Sequence, residues 1–336
     1  MKHTTKITLI VLAMFVLTQL IGIYVVNYYS PIKVVDGITS NVTSPQLPFG
    51  FEPGQIEKDV DFWSSVFPSL IFAFAISISI FFILRKFRAE KFLRAWFFIV
   101  IFMTLTISLL AFLPKLKYIF YFACAGSLVL AFFKIFKRRI LIHNLTELLV
   151  YPGIASVFVA FISSPTSPER GVFAIIALLV LISAYDIWAV WHSGLMQKMA
   201  KYQMDHVKVF SGFFIPYMTK KVKLQLEKIK KLKKSKKFKE KQANKIKINI
   251  AILGGGDVVF PIIASGIMLR RFGFTSFNLF GAAVQLPVAS LLVVAGATLG
   301  LGFLLFMSQK KKFYPAMPYI SAGILFAIGL SYLLGL

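Results

Sequence analysis

Runs of about twenty mostly apolar residues succeed one another along almost the whole chain, and no other feature limits its fold so strongly. A bilayer core about 30 Å thick needs roughly that length of helix to cross it. Nine runs meet the criterion: about 7 to 27, 63 to 84, 95 to 113, 118 to 136, 140 to 163, 171 to 191, 248 to 269, 279 to 307 and 315 to 336. With 58% hydrophobic residues and 36 Phe in 336 residues, a soluble domain could not cover its surface with polar groups. The expected fold class is therefore an all-α polytopic membrane protein with nine transmembrane helices, placed in the cell membrane. The first run is long for a signal peptide and no small-x-small cleavage site follows it, so it reads as a retained helix.

The net charge of +25 would suit nucleic acid were it spread over a surface. Instead it sits in Lys and Arg clusters between apolar runs, where topology signals lie, and no nucleic-acid partner is expected. The N-terminus, residues 85 to 94, 137 to 139, 192 to 247 and 310 to 312 carry the clusters and are alternate connections. That pattern puts the N-terminus in the cytoplasm and the C-terminus outside; Arg270 and Arg271, in a connection assigned to the outside, dissent. Three parts follow: residues 1–192 with six spans, a Lys-rich cytoplasmic loop 193–247, and residues 248–336 with three spans. Between 198 and 247 there are seventeen Lys and no Arg. Val222, Leu226, Ile229 and Leu232 recur there at helical spacing, which predicts an amphipathic helix on the anionic inner leaflet. Cys124 is the single cysteine and the four His show no ligand spacing, so no metal, disulfide or organic cofactor is expected.

An ionisable side chain near the bilayer centre costs about 2.5 to 3.5 kcal/mol on insertion scales and so needs a reason. Asp186 lies in VLISAYDIWAVW and Asp257 in ILGGGDVVFP. On the expected topology Asp186 is ~8 Å and Asp257 ~14 Å from the cytoplasmic face, at the helical rise of 1.5 Å per residue. Within boundary error the two carboxylates can meet at one level. Glu147, with His143, is closer to an expected helix end and reads as a structural or interfacial group that snorkels.

Two carboxylates in contact at low dielectric cannot both be ionised; one keeps a proton while the other acts as a base. Such a pair can activate water against a peptide carbonyl and protonate the carbonyl oxygen, with no covalent intermediate. The same pair would serve a proton or ion relay in a transporter. Gly254, Gly255 and Gly256 remove side chains just before Asp257, permitting a locally unwound helix and close approach of another backbone. Pro315-Ala316-Met317-Pro318 opens the last run on the same expected side. Its two prolines leave the backbone extended, a form tolerated at membrane depth where it lines a cavity, and able to pair with an unwound substrate.

Tyr185-Asp186, Gly254-Gly255-Gly256-Asp257 and Pro315-Ala316-Met317-Pro318 together resemble the YD, GxGD and PALP motifs of the presenilin and signal peptide peptidase family of intramembrane aspartyl proteases, its archaeal presenilin-like members in particular. The resemblance covers the chain from the sixth run onward. It implies an aspartic endopeptidase cleaving transmembrane segments, with Asp186 and Asp257 as catalytic pair, Tyr185 and the three glycines as active-site motif, and residues 315 to 318 holding the substrate. Transmembrane-helix proteins are the implied substrates, and no cofactor is implied. Met317 stands where the family usually has leucine, a swap close in volume. Type 4 prepilin peptidases share a GxGD aspartate but typically place a Lys soon after it, where this chain has Val258, Val259 and Phe260.

Overall fold

A computed structural model describes residues 5–42, 44–51, 90–137, 139–163, 168–192, 211–217, 249–279, 282–308 and 314–336, with isolated residues between 64 and 83. The run expected at 63 to 84 and the amphipathic helix expected around 222 to 232 lie outside the described residues, isolated positions apart.

Eight helices coincide with the other eight runs: α1 (Thr5–Tyr28), α2 (Glu90–Phe112), α3 (Ile119–Phe132), α4 (Ile140–Ile162), α5 (Pro168–Ile187), α6 (Gly255–Phe272), α7 (Val288–Met307) and α8 (Met317–Leu333). α3 and α5 end in π-helical turns, Phe133–Lys137 and Trp188–His192. Among the described residues six helices are long and apolar enough to cross a membrane: α1, α2, α4, α7, and α3 and α5 with their π turns. α8 is a shorter apolar helix of 17 residues. Many large apolar side chains stay exposed, Leu9, Phe122, Leu141, Phe173, Leu299 and Phe326 among them. That is the surface a bilayer covers and water does not.

The expectation of an all-α chain needs correction. Three two-stranded antiparallel hairpins accompany the helices: β1 (Ile32–Val35) with β2 (Ile38–Asn41), β3 (Gly212–Tyr217) with β4 (Asn249–Gly254), and β5 (Thr275–Leu279) with β6 (Ala282–Leu286). The span expected from residue 248 therefore begins as a helix only at Gly255, and the one expected from 279 begins at Val288. The physical reason lies in side-chain period. Ala251 and Leu253 are buried while Ile252 between them is 44% exposed, an alternation of two that a strand buries and a helix does not. Summed hydropathy does not distinguish that pattern from a helical run. β3 lies within the segment read as a cytoplasmic loop, yet it pairs with the strand leading into α6.

α6 is the hub, packed against α1, α4, α5, α7 and α8. Its apolar residues surround the whole helix, as a helix buried on all sides requires, and Val258, Ile262, Ala264, Ile267 and Met268 are fully buried. Gln19 of α1 donates its amide Nε2 to the Val258 carbonyl at 3.0 Å. Three residues on, Pro261 lacks the N–H that would bond the Asp257 carbonyl, which loosens the first turns of this helix.

Candidate active site

Asp257 occupies the first turn of α6. Gly254 is the extended residue before the helix (φ −64°, ψ 146°) and ends β4, so the glycine run is the joint between strand and helix. The Asp257 carboxylate turns back and accepts the Gly254 N–H, as an acid three residues into a helix does for the residue capping it. Gly255 N–H donates to the Ser211 carbonyl at 3.3 Å. A Cβ on Gly255 would meet Ser211 Oγ at 2.5 Å and the Tyr151 hydroxyl at 3.1 Å. The unwinding expected at the glycines is thus a strand end docked on α4 and Ser211.

Asp186, in the last turn of α5, lies at the N-terminus of α8. Its Oδ2 accepts the Met317 N–H at 3.0 Å, and the Ala316 N–H also donates to this carboxylate. Pro315 and Pro318 have no N–H to give, so the only two amide donors of the Pro315–Pro318 stretch both turn to Asp186. They are among the orphan donors that every helix start leaves unpaired, at the end where the helix dipole favours an anion. A Ser183–Ser321 hydrogen bond of 2.9 Å ties α5 to α8 one turn away. Pro315 and Met317 are buried.

Both carboxylates are buried, Asp186 at 4% and Asp257 at 9% exposure, and they lie close enough to interact electrostatically. Each is held at a helix N-terminus, and among the described residues neither makes an ion pair with a basic side chain. Next to the Gly255-Gly256 turn that leads into Asp257 is a cavity of about 300 Å³ between α4, α5 and the start of α6, lined by Tyr151, Phe158, Leu181, Gly255, Gly256 and Phe260 among others and by neither aspartate. It is mostly apolar. The geometry brings Asp186 of α5 to the Ala316 and Met317 amides at the start of α8, and Asp257 of α6 to the Gly254 amide, with Tyr185 next to Asp186 in α5.

Of the structural and interfacial readings of Glu147, the structure shows a buried one: it is 1% exposed, with Lys134 Nζ of the π turn at 2.9 Å and His143 Nε2 at 3.5 Å. Lys134 is the missing signal: it stands beside the Lys137 cluster and reads there as one more topology charge.

Helices of this length gathered round buried carboxylates make this a multi-pass integral membrane protein. A family model described as signal-peptide peptidase, presenilin aspartyl protease matches residues 51–335, and the chain belongs to that family. Among solved structures it resembles one titled "Structure of a presenilin family intramembrane aspartate protease in C222 space group", with 16% identity and a TM-score of 0.53 over 97% of this chain and 99% of that one. That likeness shows a shared fold. Comparison with curated proteins finds no match.

Proposed function

We propose that this protein is an intramembrane aspartyl endopeptidase that cleaves transmembrane segments, with Asp186 and Asp257 as its catalytic pair. The observation that carries the reading is the convergence of two buried carboxylates, each anchored by backbone N–H groups at a helix start, with an apolar cavity at the turn that leads into Asp257. One carboxylate takes a proton from water as the water attacks the scissile carbonyl. The other donates its proton to the carbonyl oxygen, and a tetrahedral gem-diol results. The amides of Gly254 and of Ala316 and Met317 fix where the carboxylate oxygens point, so little reorganisation remains for the reaction itself.

A peptide bond in a helix is shielded by its own ladder, so the substrate must unwind locally. β3 and β4 form a two-stranded sheet that ends at Gly254, three residues before Asp257, and among the described residues no strand pairs with the other edge of β4. An unwound substrate adding to that edge would have its hydrogen bonds satisfied and lie next to the aspartates. Pro315 to Pro318 bound the far side of the site. The family match gives no support to the transporter alternative.

The proposed architecture has nine spans, the N-terminus in the cytoplasm and the C-terminus outside. Residues 1–192 carry Asp186 and residues 248–336 carry Asp257, with the Lys-rich loop on an anionic leaflet between them. The test is cleavage of a reconstituted single-span substrate, with products read by mass spectrometry. Asp186→Ala and Asp257→Ala each abolish the products while the protein still inserts; cleavage persisting in either variant removes the dyad.

A further inference from the structure

The outer edge of β3 is held by side chains of α4. Residues 212, 214 and 216 alternate along that edge, as the period of two requires. At Gly212 the carbonyl accepts from His143 Nε2 at 2.7 Å, and the N–H points to Glu147 Oε1 at 3.4 Å. At Phe214 both backbone groups bond one amide: Asn144 Nδ2 donates to the Phe214 carbonyl at 2.8 Å, and the Phe214 N–H donates to Asn144 Oδ1 at 3.0 Å. Pro216 has no N–H. Every N–H on this edge therefore has a partner on α4, which stands where a third strand would be.

Behind this edge Glu147 is itself fixed. Lys134 pairs with it at 2.9 Å, and both are almost completely buried. An ion pair at such depth is weak evidence of stability, because desolvation offsets most of the attraction, but it holds Glu147 in one place. In the opposite direction Gly212 stands opposite Gly254 in the β3–β4 register, and Gly254 donates its N–H to the Asp257 carboxylate. Phe213, between the two clamped residues, is fully buried with its ring edge-on to Tyr151, centroids 5.6 Å apart. A continuous path of short contacts thus runs from α4 through the sheet to Asp257.

We propose that Asn144, supported by His143 and the Lys134–Glu147 pair, is a positioning residue for Asp257, acting through β3 and β4 without touching substrate. The proposal rests on the protease reading for its functional consequence, whereas the clamp stands on geometry alone. Loosening the Asn144–Phe214 pair lets β3 shift, and the strand end that carries Gly254 shifts with it. A second consequence follows for the substrate. With the outer edge of β3 taken, an added strand has only the β4 edge, the one adjoining Asp257.

The test uses the full chain in nanodiscs, with Asn144→Leu as principal variant. Asn144→Ser removes the same two bonds without added bulk and takes its place if the leucine variant does not fold. Hydrogen exchange of the Phe214 amide is read without substrate, and kcat and KM are read with a single-span substrate. Losing two hydrogen bonds speeds Phe214 exchange about tenfold or more and lowers kcat by a similar factor, with KM held within about twofold. Unchanged exchange overturns the clamp whatever the activity. Faster exchange with unchanged kcat overturns the positioning role, and so does a rise in KM alone. A wild-type chain that cleaves nothing overturns the protease reading and with it the catalytic role, and the exchange result then judges the clamp by itself.

Discussion

Neighbouring glycines before Asp257 have different work to do. Gly255 has no room for a methyl group, with Ser211 Oγ and Tyr151 against it, whereas a Cβ on Gly256 would meet only Phe260, at 3.9 Å. Gly255→Ala therefore pushes the strand–helix joint off α4, lowering both the melting temperature and kcat. Gly256→Ala leaves the melting temperature unchanged or raises it, since alanine suits a helix better. It also narrows the cavity that Gly256 lines, so its effect is a higher KM; thermal melts with cleavage kinetics compare the two. The glycine run and the aspartate after it are plain in the sequence. Which glycine is sterically required is not, because Tyr151 and Ser211 come from distant segments. Asp36 makes a second case. It sits at φ 48° in the turn Asp36-Gly37 joining β1 to β2 and accepts the Ser276 N–H of β5 at 2.7 Å. That backbone hydrogen bond, with the Ser276 side chain second, holds its carboxyl below the usual carboxylate range. A lowered folded-state value means that the link is present above the unfolded value and is lost as pH falls through the folded one. Protection of the Ser276 amide should accordingly vanish in strong acid in the wild type. In Asp36→Asn, that acid-dependent step should be missing. Asp-Gly between apolar residues is a readable hairpin signal, but in a long polar connection it is easily passed over.

At the level of elements, α8 must be held close for its first amides to reach Asp186. Small residues achieve this: a Cβ on Gly296 of α7 would collide with the Gly323 carbonyl of α8, one on Gly323 with the Gly296 carbonyl, and one on Gly300 with the Tyr319 carbonyl. Close approach through small residues is how helices associate where lipid removes the hydrophobic drive. Gly323→Val cannot be absorbed by a rotamer change, because the obstacle is backbone. Overpacking of this kind costs about 1 to 3 kcal/mol, and the helix displacement draws the Met317 N–H away from Asp186. The expected result is a lower melting temperature and a loss of cleavage larger than the stability change alone produces. Activity in Gly323→Val equal to wild type at a temperature where both are folded would refute the dependence of Asp186 on α8. Helix existence is legible in this chain because hydropathy and length decide it. The strands before α6 and α7 escape that reading because they, too, are apolar. Before α6, only the alternation within IAIL and the presence of a partner strand some 40 residues upstream separate strand from helix.

Across the whole molecule, one of the two dissenting charges falls into place once packing is known. Arg270 is 8% exposed and donates to the Val159 and Ser163 carbonyls at 3.3 and 3.2 Å, closing the C-terminal end of α4. Arg271 pairs with Glu169 at 2.8 Å. Arg270 is therefore not a free loop charge of the kind the topology rule counts, whereas Arg271, in a surface pair, still is one. The same packing bears on how the proposed halves cohere. α6, from the C-terminal part, packs against α1, α4 and α5 of the N-terminal part; α8 packs against α5, and β4 pairs with β3 across the Lys-rich loop. Gln19 to Val258, Arg270 to Val159 and Met317 to Asp186 are hydrogen bonds between the two parts. No contact among the described residues requires the chain to be continuous between 217 and 249. Residues 1–230 and 231–336, expressed as separate chains in one membrane, should therefore copurify and cleave substrate, with kcat within about tenfold of the intact protein, since the site's own contacts are unchanged. Moving the break to between 205 and 206 leaves β3 on the C-terminal fragment and its clamp on the N-terminal one. That pair should still associate through α6 and regain cleavage only as far as Asn144 recaptures Phe214. Fragments that insert but do not copurify would show that the covalent loop, and not the packing of α6 into the bundle, holds the two aspartates together.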